Sequence, residues 1–437
     1  MKSADKLIVV QLNEINFDIV ARYLQTHELP ALKRLLRDYK RLETYAESDY
    51  SQLEPWIQWV SAQTGKTFAE HGVFRLGDIV KTAWPQIFEV LEARGKRVGA
   101  LSPMNARNDL RRPAYFVPDP WTQTASDGSG FSTRFTRMLQ QTVNDNAKQR
   151  VSWASKLTIA EAILRSFDLR RTPALFGLML RSRRKPWLKA MVLDALIHLL
   201  HCALWRRQQP DVSFVFFNAG AHIQHHYFFN SAFAGSVVAN PAWYVDRNAD
   251  PVGDMLKVYD GMLRDYVELA DQGARLIVAT GLTQVPYDRV KYYYRLAEHE
   301  RFLADAGIGF KAVLPRMTRD FEVLFDDAAI AGAAAALLRS MRLERDGAAV
   351  FGDVEERGSS LFVTLTYPNE ILPGDAVLAG KRRIADFGRK VAFVAIKNGM
   401  HSTKGFAFFS PTTSAEIPTK PVHVSALYEL TLAAAGT

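Results

Sequence analysis

One cysteine in 437 residues excludes an internal disulfide. Cys202 lies among Leu199, Leu200, Ala203 and Leu204 and is expected to pack as a small apolar group. Such cysteine usage fits a reducing compartment and also many exported bacterial proteins. Long apolar runs are missing as well. No stretch reaches the roughly 18 uninterrupted apolar residues needed to cross a bilayer. The nearest, Ala190 to Trp205, is broken by Asp194, His198 and His201, so a transmembrane span is not expected. Met1 to Asp5 holds no apolar leader core and the run Leu7 to Leu12 is too short for one, so a cytoplasmic location is expected. No internal repeat or low-complexity tract appears, and only Ser126 to Ser132 reads as a glycine and serine loop. Acidic residues are scarce in one segment. Lys148 to Arg207 carries thirteen Lys or Arg against Glu161, Asp168 and Asp194, a net of +10, so the chain's formal +9 belongs to this segment and the rest is close to neutral. No nucleic-acid motif accompanies this charge, and DNA or RNA is not expected as a partner.

With 48% hydrophobic and 23% charged residues, the chain can bury one large core or two moderate ones. Lys6 to Leu12 is a continuous apolar run, as expected of a strand buried on both faces of a parallel sheet. Helical patterns follow at Phe17 to His27, at Pro30 to Arg37 with proline in its first turn, and at Trp84 to Ala93, before a short strand at Arg97 to Leu101. This alternation predicts an α/β doubly wound, mostly parallel sheet flanked by helices. From about Ser132 to Gln209 the pattern is helical, predicting a basic helical cap or insertion over 132–209. The core is then expected over 1–131 and 210–437. The strand and helix rhythm resumes at Val212 to Phe217, Met255 to Ala270 and Arg275 to Thr280. Strand candidates at Lys311 to Pro315, Phe321 to Phe325, Ser360 to Leu365 and Val391 to Ile396 surround a helix at Asp327 to Met341, and a last helix covers Val424 to Ala435.

The order of short motifs carries a resemblance. Strand Leu7 to Leu12 runs into Asn13-Glu14, followed by Leu29-Pro30-Ala31-Leu32-Lys33-Arg34-Leu35, then Trp59, Ser61, Thr64-Gly65 and Glu70-His71-Gly72. Further along come Ala221-His222-Ile223-Gln224-His225 after a strand, Thr280-Gly281 after another, and Gly399-Met400-His401 before Gly405. This order resembles the alkaline phosphatase superfamily, on its type I phosphodiesterase and nucleotide-pyrophosphatase branch, over roughly two thirds of the chain. The resemblance implies ligands at the carboxyl ends of the parallel strands, in a pocket containing Asn13, Glu14, Glu54, His225, Gln284 and His401.

The chain departs from that family's pattern where the chemistry sits. The resemblance implies a metal-binding aspartate at Asn13 and a hydroxyl nucleophile at Pro55; an amide brings no charge to a cation and proline has no hydroxyl. Ala221 and Ala279-Thr280 replace three further metal ligands, leaving His225 and His401. A catalytic zinc site takes at least three protein ligands, and Glu14 and His222 are the neighbours available for a third. One divalent ion, zinc or manganese, is the most that is expected; a two-metal site is not.

Two functions follow. In one, the pocket is a hydrolase or transferase acting on an anionic phosphorylated or sugar-linked substrate, with Glu14 or Glu54 as base or nucleophile and His225 or His401 as acid. Asn13, Trp56, Gln284 and Lys404 then bind the substrate. In the other, the pocket binds an anionic ligand or a protein or membrane partner without turnover. Individual residues keep simpler readings. Glu54 fits a catalytic carboxylate or an acid at a helix N-terminus, and Gln284 fits a ligand contact or a turn brace. Trp56 and Trp59 fit stacking or core packing, while His71, His222 and His226 read as structure. Arg181 to Arg207 fits a cap helix with one buried face, or a helix lying on an anionic membrane. The second reading predicts peripheral membrane contact through 181–207 and a glycan- or lipid-linked substrate.

Overall fold

The computed structural model describes residues 6–144, 152–315, 319–413 and 415–437. Met1 to Asp5 and the basic residues Lys148 and Arg150 lie outside them. The chain opens with β1 (Leu7–Leu12), α1 (Phe17–Tyr23), α2 (Pro30–Asp38), β2 (Lys40–Tyr45), α3 (Pro55–Thr64), α4 (Phe68–His71), α5 (Ile87–Ala93), β3 (Val98–Leu101) and β4 (Tyr115–Val117). Four helices follow: α6 (Gly130–Asn144), α7 (Trp153–Arg165), α8 (Arg171–Ser182) and α9 (Leu188–Gln208). Then come β5 (Val212–Phe217), α10 (Ala219–Tyr227), α11 (Pro251–Asp271), β6 (Arg275–Ala279) and the long β7 (Thr283–Leu296).

The next stretch holds α12 (His299–Asp305), β8 (Ala312–Pro315), β9 (Asp320–Leu324), α13 (Ala328–Ser340), β10 (Arg342–Leu343), β11 (Asp353–Arg357), β12 (Ser360–Thr364), β13 (Val377–Ala379), β14 (Arg382–Ile384) and α14 (Phe387–Lys390). The chain closes with β15 (Val391–Ser402), which pairs with β7, then β16 (Lys404–Phe409), β17 (Val422–His423) and α15 (Leu427–Ala434).

Eight strands form the main sheet in the order β17-β2-β16-β6-β1-β5-β3-β4. The run from β6 to β4 is parallel, and β16 is antiparallel to both of its neighbours. This is the mixed, parallel-dominated α/β sheet flanked by helices that the strand and helix rhythm predicts. The unbroken apolar run of β1 has a direct cause. Ile8, Val10 and Leu12 enter one core and Leu7 and Val9 the other, because successive side chains leave opposite faces of a sheet that is covered on both.

The chain divides into two compact units. The first comprises Met1–Val237, Ala242–Pro286 and Gly399–Thr437; the second comprises Val238–Pro241 and Tyr287–Asn398. The helices α6 to α9 thus belong to the same unit as the main sheet, while 287–398, expected as part of the core, forms a unit of its own. Its own packing explains this. Phe302, Phe321, Val323, Leu361 and Phe387 bury one another under a four-stranded sheet, β11-β12-β9-β8, and a three-stranded one, β10-β13-β14. Asn240 and Asn398 exchange amide hydrogen bonds of 2.8 and 2.9 Å, which ties Val238–Pro241 into that unit.

Helix α9 is the one described helix long and apolar enough to cross a membrane, yet most of it is buried in the core. A polar network runs through it. His198 Nε2 lies 2.8 Å from Asp265 Oδ2 of α11, and both histidines reach the Tyr266 hydroxyl, His198 at 3.1 Å and His201 at 3.0 Å. Arg170 and Arg171 close the network on Asp265. Burial raises the Asp265 carboxyl, but His198 and Arg171 outweigh it and hold the group well below the usual range. Burial lowers His198, whereas Cys202 and Asp265 reverse that and push it up to about 9.

A histidine whose folded pKa is raised contributes stability that is complete below its unfolded value of about 6.5 and is lost as pH rises through the folded value. The unfolding free energy is therefore expected to fall by up to about 3 kcal/mol between pH 6 and pH 9.5 through this group. Urea midpoints measured across that interval check it. The decline should be steeper in the native chain than in His198→Gln.

Candidate functional site

The carboxyl ends of β1, β5 and β6 and the start of antiparallel β16 share one rim of the main sheet. Asn13 and Glu14 follow β1 there. Glu14 adopts φ of 62°, a left-handed conformation that non-glycine residues avoid unless their surroundings hold them in it. Two bonds do so. The Glu14 amide donates to Thr280 O at 3.1 Å, and Gln224 Nε2 donates to Glu14 O at 2.7 Å. Gln224, on α10 and buried, also accepts from the Asn16 amide at 3.2 Å. The corner turns the Glu14 side chain inward, where it is 2% exposed.

Burying a lone carboxylate costs several kcal/mol, so this one needs partners. Asn13 Nδ2 donates to Oε1 at 2.9 Å and Gln284 Nε2 donates to Oε2. His225 Nε2 stands 3.1 Å and His401 Nε2 3.2 Å from Oε2, and the two ring nitrogens are 3.3 Å apart. Burial would raise the Glu14 carboxyl, but His401 and His225 beside it hold it well below the usual carboxylate range. His225 Nδ1 is 3.0 Å from Gly399 O, which can only accept, so that nitrogen carries a proton. In the neutral ring Nε2 then presents a lone pair toward Glu14 and His401. Three electron-pair donors at 3.1–3.3 Å repel unless a proton or a cation sits among them.

The same three atoms form one of two groups of described residues spaced to hold a metal ion. The donor set is two imidazoles and a carboxylate, the count and chemistry of a catalytic zinc site with an open position. Donors about 2.0–2.1 Å from a tetrahedral ion lie about 3.3 Å apart, close to the spacings seen here. Gln284 Oε1 is buried beside the cluster without a hydrogen-bond partner. The residues present therefore fit a single ion. The other positions where the resemblance implies metal ligands offer none to the cluster: Ala221 and Ala279 are buried and apolar, and the Thr280 hydroxyl accepts from the Phe406 amide at 2.9 Å.

The other candidates fall as follows. Asn13 has its amide fully engaged. Trp59 Nε1, which can only donate, reaches Asn13 Oδ1 at 2.8 Å, and this turns Nδ2 toward Glu14 and toward Asn218 Oδ1 at 2.8 Å. Gln284 braces Glu14 and Ala221 O rather than its own turn. Glu54 precedes α3 but its side chain makes no cap bond; Oε2 lies 3.6 Å from His401 Nδ1, and the side chain is one-third exposed. Pro55 begins α3.

Trp56 donates to Phe74 O at 3.1 Å and packs against the core on one side. Lys404 is held by Asp18 at 2.8 Å and Glu43 at 3.0 Å, which commits its ammonium to ion pairs. His222 is exposed and its ring packs on His226. His71 is buried, and burial lowers it to about 4; it accepts from the Val73 amide and bonds Ser61. Gln224 is the site residue that sequence reasoning missed, although it directly precedes His225 on a helix leaving a buried strand.

No family model and no curated protein matches the chain. Among solved structures, phosphonoacetate hydrolase from Sinorhizobium meliloti 1021 in complex with phosphonoacetate aligns at 13% identity and a TM-score of 0.45, over 98% of this chain and 95% of that one. Murine ectonucleotide pyrophosphatase/phosphodiesterase 5 aligns at 11% and 0.42, over 99% and 95%. Wild-type alkaline phosphatase PafA aligns at 11% and 0.41, over 98% and 95%.

Two substitutions test the site's construction. Asn13→Asp places an acceptor against Glu14 Oε1 and Asn218 Oδ1 and is expected to lower stability at neutral pH by about 2 kcal/mol or more, read as a urea midpoint. A Cβ on Gly399 would stand 2.1 Å from Gln284 Oε1 and 2.8 Å from Gln224 O. Gly399→Ala should accordingly lower the thermal midpoint, by an amount equivalent to roughly 1–3 kcal/mol.

Proposed function

We propose that this chain is a divergent member of the alkaline phosphatase superfamily, of the phosphodiesterase and nucleotide-pyrophosphatase kind. On this reading it holds one divalent ion, zinc or manganese, on Glu14, His225 and His401, and hydrolyses or transfers a group from an anionic phosphorylated or sugar-linked substrate. The observation that carries the reading is the convergence of Glu14 Oε2, His225 Nε2 and His401 Nε2, 3.1–3.3 Å apart on a buried corner, with the His225 tautomer set by Gly399 O. A divalent ion bound there supplies a positive centre that acidifies water and offsets charge on substrate oxygens.

The chain's own residues do the rest. Asn13, Gln224 and Gln284 hold Glu14 in place, and Gly399 fixes the His225 ring. Pro55 supplies no hydroxyl, so the attacking oxygen comes from water or an acceptor hydroxyl rather than from the protein. Glu54, one-third exposed and beside His401, takes the proton released as the new bond to oxygen forms and passes it to the substrate oxygen whose bond breaks, which leaves as a hydroxyl. Binding without turnover is the competing reading, favoured by the loss of the hydroxyl at Pro55 and of ligands at Ala221 and Ala279.

Elemental analysis of protein purified without chelator, paired with hydrolysis of bis(p-nitrophenyl) phosphate, separates the two. About one ion per chain is expected in the native protein and little in Glu14→Gln, His225→Ala and His401→Ala. Glu54→Gln should keep the ion and lose rate by about 10²-fold or more. A chain without metal overturns the ion site. A metal-loaded chain with no turnover of any phosphoester overturns the enzyme and leaves the binding protein.

A further inference from the structure

Helix α7 is built inside out, and α8 exposes apolar residues even though its Leu175 and Leu178 pack in the core. On α7 the buried positions are Ser155, Thr158 and Ala162, while Trp153, Leu157 and Leu164 are 78%, 68% and 76% exposed. Their spacing of four and seven residues keeps these three within an arc of about 40° on one helix face. Leu169, in the connection to α8, is 84% exposed, and Phe176 and Leu180 on α8 are 53% and 65% exposed. Eight of the twenty large apolar side chains exposed among the described residues fall between Trp153 and Leu180. A soluble helix turns such residues inward, and a concentration of this kind marks an interaction surface.

The surface is flanked by positive charge. Arg181, Arg183, Arg184 and Lys189 are exposed and form no ion pair among the described residues, in contrast to Arg170, Arg171 and Lys185, which are paired. A groove of about 570 Å³ joins the two characters: Phe176, Met179, Leu180 and Val192 line it with Arg183 and Lys189. We infer that α7, α8 and the arginines after them form a docking surface for an anionic membrane leaflet. Trp153 and the leucines enter the acyl boundary, and the arginines and Lys189 meet the lipid phosphates. A second copy of the chain fits less well, because a two-fold interface sets this patch against itself and brings its unpaired cations together. The contact expected from sequence over 181–207 moves accordingly, since α9 spends its apolar residues in the core. The inference stands independently of the Glu14 site.

Vesicle sedimentation tests it, with phosphatidylglycerol mixed into phosphatidylcholine against phosphatidylcholine alone. Binding to the acidic vesicles is expected to be at least about tenfold tighter and to weaken in high salt. L164E/L180E and R181Q/R183Q/R184Q should each lose roughly tenfold or more, with the helical circular dichroism signal unchanged at these exposed positions. If the leucine variant loses that signal, the arginine variant alone decides. Equal binding to both vesicles, no binding, or unaltered binding by the variants overturns the proposal. Self-association in vesicle-free ultracentrifugation that L164E/L180E abolishes also overturns it, in favour of a second copy.

Discussion

The buried carboxylate of Glu14 is the constraint from which the site is organised. It stands at a left-handed corner directly after the central strand, and an unpartnered carboxylate at such depth would cost several kcal/mol. Each surrounding group answers that cost. Asn13 and Gln284 donate to it, Gln224 pins its backbone, and two imidazole rings face it. These residues come from four separate segments, which the parallel sheet brings to one rim because strands of common direction end at the same edge.

The same corner explains why Asn13 differs from the aspartate that the family resemblance implies. With Glu14 supplying the charge, an aspartate at 13 would set two carboxylates side by side. The amide instead bridges Glu14, Asn218 and the indole of Trp59, tying α3 to the sheet. Ala221 and Ala279 pack into the core, and Thr280 bonds the sheet. The charged interior around His198 and Asp265 is a separate matter, since it anchors α9 to α11, shares none of these residues and is satisfied by Arg170 and Arg171.

Much of this was legible in the sequence. The continuous run of β1, the alternation of strands and helices and the order of short motifs all pointed to a parallel-dominated sheet, because burial on two faces and strand-end loops leave local traces. Glu14, Glu54, His225 and His401 were candidates by position. What was not legible depends on packing. Gln224 looks like any helical glutamine until its amide is seen on the Glu14 carbonyl, and Lys404 looks like an anion binder until Asp18 and Glu43 are seen around it. The unit at 287–398 reads as more strands of the same sheet, since periodicity does not say which core a strand enters. Helices α7 and α8 show the converse: their apolar residues were visible, but which face turns outward was not.

The central claim is that His225 and His401 turn their Nε2 atoms on Glu14 to receive a cation. Two-bond nitrogen–proton correlation spectra of the protein labelled in its histidine rings test it most directly. With one equivalent of zinc, His225 is predicted to keep its proton on Nδ1, against Gly399 O, and to show an unprotonated, metal-shifted Nε2, as is the Nε2 of His401. An Nε2 proton that persists on either ring after zinc is added would contradict the account.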